Sequence, residues 1–314
     1  MIGSVRRTAR RGAVGAGAAA VLLVPELVGL ERTFPWPIAL AARPALAAGV
    51  DVAAGTLAAV SRRARPAALG AAAVSRLVLA RPRRHRERPG PGRLTVLVAN
   101  VWQGRADPGA LARLLAAHRP DVVVLPEAGE PFLARLAGHL DPGLGYRADT
   151  APPPRPHRHV PDDPDGPWTA VLVAPSLGDV KVAPVLLGGL YGWLEVGGGT
   201  LGDVRVLAAH PVAPVPGLTG RWADELDLVA AWRAAAAGPT VVAGDLNTTV
   251  EHRGLAALGE GGAPAGPATW PARWPRWLGF RIDHVLGGGG LAVRSTRVLD
   301  LPGSDHRAVL ARLG

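Results

Sequence analysis

The chain has 314 residues. That is more than the ~100–150 of a typical single domain, so one large domain with an appendage is expected. Hydrophobic residues make up 48 % of it, which excludes a wholly solvated coil despite 41 Gly and 31 Pro. Cysteine is absent, which excludes disulfides and thiolate metal sites, and the formal charge of +10 is compatible with an anionic partner: nucleic acid, anionic lipid or a phosphorylated substrate.

The charge is concentrated near the N-terminus. Arg6, Arg7, Arg10 and Arg11 form one cluster, Arg62, Arg63 and Arg65 a second, and Arg81, Arg83, Arg84, Arg86 and Arg88 a third. Between them run three apolar stretches, Ala13 to Leu30, Pro37 to Val60 and Pro66 to Ala80. A bilayer-spanning helix needs ~20 mostly apolar residues. Each stretch is interrupted: Glu26 in the first, Arg43 and Asp51 in the second, Arg76 in the third. The alternation of basic and apolar segments predicts an N-terminal membrane region over 1–80, with two or three helices and an aromatic turn at Phe34 to Pro37. A signal peptide accounts for the first thirty residues but not for the next two stretches; Ala-rich soluble helices are the other alternative. The expected location is the cell membrane with the large domain outside the cytoplasm, although the third Arg cluster pulls the other way.

Residues 81–92, RPRRHRERPGPG, have the composition of a linker. From 93 to 314 short strands alternate with helices and turns. Leu94 to Asn100 is a β-rich run. Asp107 to His118 has helical periodicity, with Asp107 as N-cap and Pro108 at the first helical position. Val122 to Leu125 is a buried strand ending at Glu127, and Pro131 to Leu140 a second helix. Thr150 to Pro167 is a loop. Further strands are expected at Thr169 to Ala174, Leu194 to Val196, Val204 to His210, Thr240 to Ala243, Arg281 to Leu286 and Ala308 to Arg312. A helix from Trp222 to Ala237 precedes the Thr240 strand. Many short strands with few helices suggest two packed sheets flanked by helices, an α/β sandwich.

Polar residues recur where these buried runs end. LVAN stops at Asn100, VVVLPE at Glu127, VLAAH at His210, and TVVAGDLN at Asp245 and Asn247. RIDHVL contains Asp283 and His284, and GSDHRAVL contains Asp305 and His306. Singly, each has a bland reading: a turn former, a helix-terminal acid, a hydrogen-bonded core histidine. His284 reads as structural. Together they suit one chemistry. Carboxylates bind hard cations such as Mg²⁺ or Mn²⁺, which in turn bind phosphate oxygens. An Asp–His pair holds an imidazole in a useful tautomer.

The order N…E…H…GDLN…IDH…SDH resembles the endonuclease/exonuclease/phosphatase (DNase I-like) superfamily, from about Leu94 to the C-terminus. Preceded by apolar helices, it resembles the membrane-associated VanJ-like branch. The resemblance implies a four-layer α/β sandwich and divalent-metal phosphoester hydrolysis. It implies metal ligation by Glu127 and Asp305, with Asn100 beside them. It also implies that Asp245 orients or deprotonates the attacking water, steadied by Asn247. His306 would contact the phosphate with Asp283 as partner, and His210 would be the second histidine there. The sequence departs from nuclease relatives in having Trp102 and Gln103 where another acid often follows the first Asn, and it lacks long basic insertions. Ala268 to Phe280, ATWPARWPRWLGF, reads either as a packed loop or as an amphipathic lip.

The expected function is hydrolysis of phosphate esters or pyrophosphates by a membrane-attached enzyme, on a phospho- or pyrophospho-lipid. The alternatives are a metal-dependent nuclease acting on nucleic acid and an inactive binding module.

Overall fold

The computed structural model describes residues 2–80, 92–154, 163–186, 189–258 and 266–314. The expected linker, apart from Gly92, and the middle of the Thr150 to Pro167 loop lie outside the described residues. The chain divides into two compact units. One comprises 1–83 with 214–220 and 251–253; the other holds the rest.

The first unit is helical: α1 (Ile2–Leu23), α2 (Trp36–Ala41), α3 (Arg43–Val60) and α4 (Arg65–Leu79). Pro opens α2, α3 and α4 near their first position, where its missing N–H costs nothing. Small residues let α1 and α4 approach closely. A Cβ on Gly15 would collide with the Ala67 carbonyl, and one on Gly70 with the Gly12 carbonyl. A buried ion pair, Arg43 to Glu26 at 2.9 Å, fastens the segment after α1 to α3. Two or three spanning helices were expected. Among the described residues only α3 is long and apolar enough to cross a bilayer. The first Arg cluster lies inside α1 rather than before it. The 15 residues of α4 reach only ~22 Å, short of a hydrocarbon core ~30 Å thick.

The second unit is built on two sheets. Its strands are β1 (Leu94–Val98), β2 (Val122–Pro126), β3 (Arg147–Ala151), β4 (Thr169–Val173), β5 (Val180–Pro184), β6 (Leu194–Gly198), β7 (Arg205–Ala208), β8 (Thr240–Asp245), β9 (Asp283–Gly288), β10 (Val293–Leu299) and β11 (Ala308–Leu313). One sheet runs β10-β11-β1-β2-β4-β3, the other β5-β6-β7-β8-β9. Alternation along the strands sorts the side chains. Val96, Val98, Val124 and Val171 face inward onto Val196, Val206, Val241 and Val285, forming the core between the sheets. Leu97, Val123, Leu125 and Leu172 face outward under α5 (Pro108–His118) and α6 (Glu130–Ala137), against Leu111, Leu115 and Phe132. Burial on both faces explains why these strands read as unbroken apolar runs. Asp107 caps α5, accepting from the Gly109 and Ala110 amides.

On the other sheet, α7 (Thr219–Ala234) is joined by Trp232 to Glu195 and by Arg233 to the Leu286 carbonyl. Two sheets with helices on both outer faces make the α/β sandwich expected. Several boundaries shift. β1 ends at Val98, β7 covers only Arg205–Ala208, β9 starts at Asp283, α6 is Glu130–Ala137, and α7 starts at Thr219. Three strands carry no buried apolar run and escape sequence reading: β3, β5 and β10, all of them sheet edges, with Arg, Lys, Ser or Thr in them.

Topology decides where the site forms. β1 and β2 are parallel, so their C-terminal ends coincide, and antiparallel β11 begins beside them. In the second sheet β7 and β8 are parallel, and antiparallel β9 begins beside the end of β8. All six strands carry an expected polar residue at or within two residues of that end. Because β1 and β2 contact β8 across the core, the two sets of ends meet.

Candidate active site

Asn100 follows β1 and is fully buried. Its amide nitrogen donates to Glu127 Oε1 at 3.0 Å and to Asp245 Oδ2 at 3.0 Å, so one NH₂ group joins the two sheets. Its own oxygen accepts from the Trp102 amide at 2.8 Å. Glu127 sits just past β2 with φ +61, a conformation that costs a non-glycine residue about 1–3 kcal/mol. The Gln103 amide holds its other oxygen at 2.9 Å. Asn247 is likewise left-handed, at φ +48. Its amide N–H donates to Asp245 Oδ1 at 3.0 Å and its side chain to the Pro211 carbonyl at 2.9 Å. Gly244 is required in the GDLN turn: a Cβ there, at φ +152, would strike the Ala209 carbonyl.

His306 Nδ1 lies 2.9 Å from Asp283 Oδ2, and its Nε2 lies 3.7 Å from Asp245 Oδ2 and 3.8 Å from Asp305 Oδ1. Burial opposes the charged imidazole, but Asp283, Asp245 and Asp305 outweigh it and push His306 up to about 10. His306 is therefore an imidazolium at neutral pH, with one N–H donated to Asp283. His210 shows the reverse. Its Nε2 is 3.9 Å from Asp245 and 4.0 Å from Glu127, yet burial and then the charge on His306 push it down to about 3, so it stays neutral. Burial, then Asp283, raise the Asp245 carboxyl to about 8, and burial raises Glu127.

The structure thus brings Asn100, Glu127, His210, Asp245, Asn247, Asp283, Asp305 and His306 to one end of the sandwich. His284 points elsewhere and bonds the Thr248 carbonyl at 2.8 Å, a structural place. Asp245, Asp283 and His306 offer ligand atoms that all lie within 4.8 Å of one another. Glu127 and Asp305, the carboxylates expected as ligands, stand outside that tightest trio. The donor set still suits a hard divalent cation. Crowded carboxylates share a single amide, and buried Asp305 Oδ1 and Asp283 Oδ1 have no hydrogen-bond partner among the described residues.

Sequence reading missed three contributors. Tyr191 packs its ring on His210 with centroids 4.7 Å apart, and its phenol is pushed up to about 12 by burial, then by Glu127, Glu225 and Asp245. Ser304 donates to the Asn100 carbonyl at 2.7 Å and accepts from the His306 amide at 3.0 Å, tying the two ends together. Trp270 donates to Asp305 Oδ2 at 3.1 Å. Tyr191 lies in an irregular segment whose pattern gives no signal, and Trp270 stood in the Ala268 to Phe280 segment, read as a packed loop or a lip and not as part of the site. Ser304 stood in the SDH triplet, where only its neighbours drew notice.

A two-sheet α/β sandwich whose strand ends gather acids, amides and imidazoles has the donor set that metal-assisted phosphoester hydrolysis uses. The family model described as Endonuclease/Exonuclease/phosphatase matches residues 97–306. The chain belongs to this family, and is a hydrolase of phosphate esters. Divalent-metal dependence is typical of the family. No curated protein matches the chain. Solved structures share its fold. A humanized D. rerio TDP2 is 17 % identical over 70 % of this chain and 98 % of its own, with TM-score 0.52. An endonuclease/exonuclease/phosphatase from Beutenbergia cavernae is 23 % identical over 71 % and 72 %, with TM-score 0.51. One from Bacteroides vulgatus is 15 % identical over 70 % and 98 %, also with TM-score 0.51.

Proposed function

We propose that this chain is a membrane-attached, Mg²⁺- or Mn²⁺-dependent phosphohydrolase of a phospho- or pyrophospho-lipid, of the VanJ-like branch, with its catalytic unit outside the cytoplasm. The observation that carries the hydrolytic half is the single Asn100 amide bridging Glu127 and Asp245, with the Asp283–His306 pair beside it. The apolar N-terminal unit supports the membrane half: α3 spans 18 residues of mean hydropathy 1.2 and is only 17 % buried.

In this reading Glu127 and Asp305 would hold the cation, with Asn100 fixing the orientation of Glu127. The cation would neutralise phosphate oxygens and lower the pKa of a water. Asp245 accepts the proton of the attacking water. Its raised pKa suits a base working near neutrality, and the Asn100 and Asn247 N–H groups orient its carboxylate. His306, held protonated and aligned by Asp283, donates its Nε2–H to a phosphoryl oxygen or to the leaving oxygen. Neutral His210 donates or accepts a hydrogen bond at the same group without adding charge.

A screen of the purified full-length protein against lipid pyrophosphates, lipid phosphodiesters and DNA, with Mg²⁺ or EDTA, tests the substrate. Fastest Mg²⁺-dependent turnover on the lipid phosphates is expected. Preferential DNA cleavage would replace this reading with the nuclease one.

A further inference from the structure

Residues 268–280 form a hairpin of which the hydrolytic site uses only the Trp270 bond to Asp305. Trp270 and Phe280 close it with a pair of backbone hydrogen bonds, 3.0 and 2.7 Å long, and their rings stack with centroids 6.3 Å apart. Its base is fastened to the active site. Trp270 Nε1 bonds Asp305 Oδ2, and the Ala272 amide bonds the Asp305 carbonyl at 2.6 Å. Arg307, next to His306, donates to the carbonyls of Ala268, Ala272 and Trp274 at 3.1, 2.5 and 2.6 Å. The base is thus rigid and registered on the site.

The far end is the opposite: apolar and unsheltered. Trp277 is 84 % exposed, Leu278 45 % and Trp274 40 %. Three adjacent large apolar side chains in water carry a standing hydrophobic cost. Arg276 has its guanidinium on Asp300 and the Val298 carbonyl, so its charge is largely answered. Arg273 is exposed between the tryptophans and stands in no ion pair among the described residues. Trp beside Arg is the composition of groups that settle at a lipid headgroup boundary, where an indole has an apolar body and a polar edge.

We propose that the Trp274–Leu278 tip docks on an anionic lipid surface and so brings Asp305 and the catalytic cleft to the headgroup level. This rests on the membrane-attached reading above and adds the element that engages the bilayer. Lipid is favoured over a protein partner because the exposed Trp274, Trp277 and Leu278 stand beside the exposed Arg273 guanidinium, an apolar body with a cation that answers an anionic headgroup. A tip of this size adds modest affinity alone and acts with a second anchor.

The chain contains no cysteine, so Trp277→Cys creates a unique labelling site on an exposed position. The full-length protein, reconstituted in phosphatidylglycerol–phosphatidylcholine vesicles, carries an environment-sensitive fluorophore there. The control is the same label at Lys181→Cys, on exposed edge strand β5. Expected are a blue-shifted emission and quenching by a shallow lipid-borne spin label at 277, and neither at 181. A triple change, Trp274→Ser with Trp277→Ser and Leu278→Ser, should leave hydrolysis of a soluble phosphate ester unchanged and slow vesicle-borne lipid phosphate about tenfold. A water-like, unquenched label at 277 would overturn docking. Quenching at 277 without any lipid-phosphate turnover would support docking and refute the lipid substrate instead.

Discussion

Asp245 is buried, lies 3.9 Å from His210 and 3.7 Å from His306, and has its carboxyl pushed up to about 8 by burial and Asp283. Its folded pKa exceeds the ordinary 3.8, so the protonated form's contribution to stability is complete below about 3.8 and is lost as pH rises through about 8. Asp245→Asn is therefore expected to raise the Tm of EDTA-treated protein more at pH 8 than at pH 5. An equal change at both pH values would contradict the burial assignment. Burial also raises the Glu127 carboxyl, and a cation held there has to displace its proton, so Mg²⁺ affinity by calorimetry should rise as pH rises and that group ionises. Glu127→Gln keeps the bond from Asn100 but removes a charge, and should raise the Mg²⁺ concentration needed for half-maximal rate. An unchanged titration would remove Glu127 from the ligand set. His306→Ala should cut turnover by about 10²–10⁴-fold with the circular-dichroism spectrum unchanged. Asp283→Asn removes the largest support of the imidazolium, so the alkaline limb of the pH–rate profile should move to lower pH.

The same residues show what a sequence can and cannot disclose. Asn100, Glu127, His210 and Asp245 stand out because each interrupts an apolar run where chain direction changes, and strand pairing then carries them to one place. Tyr191 reaches His210 only through a loop that has no period and no neighbouring signal. Its position follows from buried Glu225, whose carboxylate accepts from the Leu190 and Val212 amides at 2.8 Å each. That contact joins three segments far apart in sequence, and no local pattern announces it.

Element by element, the fold was readable wherever both faces of a strand are buried. VVVL and TVVA become β2 and β8 at the sheet centres. The edges β3 and β10 were not readable, since exposed edge strands carry polar residues that match a loop's composition. Helix limits slipped by a few residues because capping, and not apolar period, sets them: Gly129 and Pro131 start α6 ahead of its first buried side chain, Phe132. Leu97 tests the outer core. It is fully buried between β1 and α5, and Leu97→Ala should cost about 2–5 kcal/mol in chemical denaturation. A loss below 1 kcal/mol, on the order of a surface change, would mean that α5 does not pack there.

At the scale of the whole molecule, the membrane half of the proposal rests on α3. With α3 in a bilayer, the full-length protein should remain in the membrane pellet after an alkaline carbonate wash; complete release would remove the spanning reading of Arg43–Val60. The catalytic claim does not depend on that outcome. It depends on carboxylates from both sheets acting on one phosphoryl group, and the most direct measurement is hydrolysis of a soluble phosphate ester by EDTA-stripped protein as Mg²⁺ is returned. Activity should reappear with Mg²⁺ in the wild type and stay absent in Asp245→Asn. Full activity in EDTA, or Mg²⁺-restored activity in Asp245→Asn equal to wild type, would contradict the account.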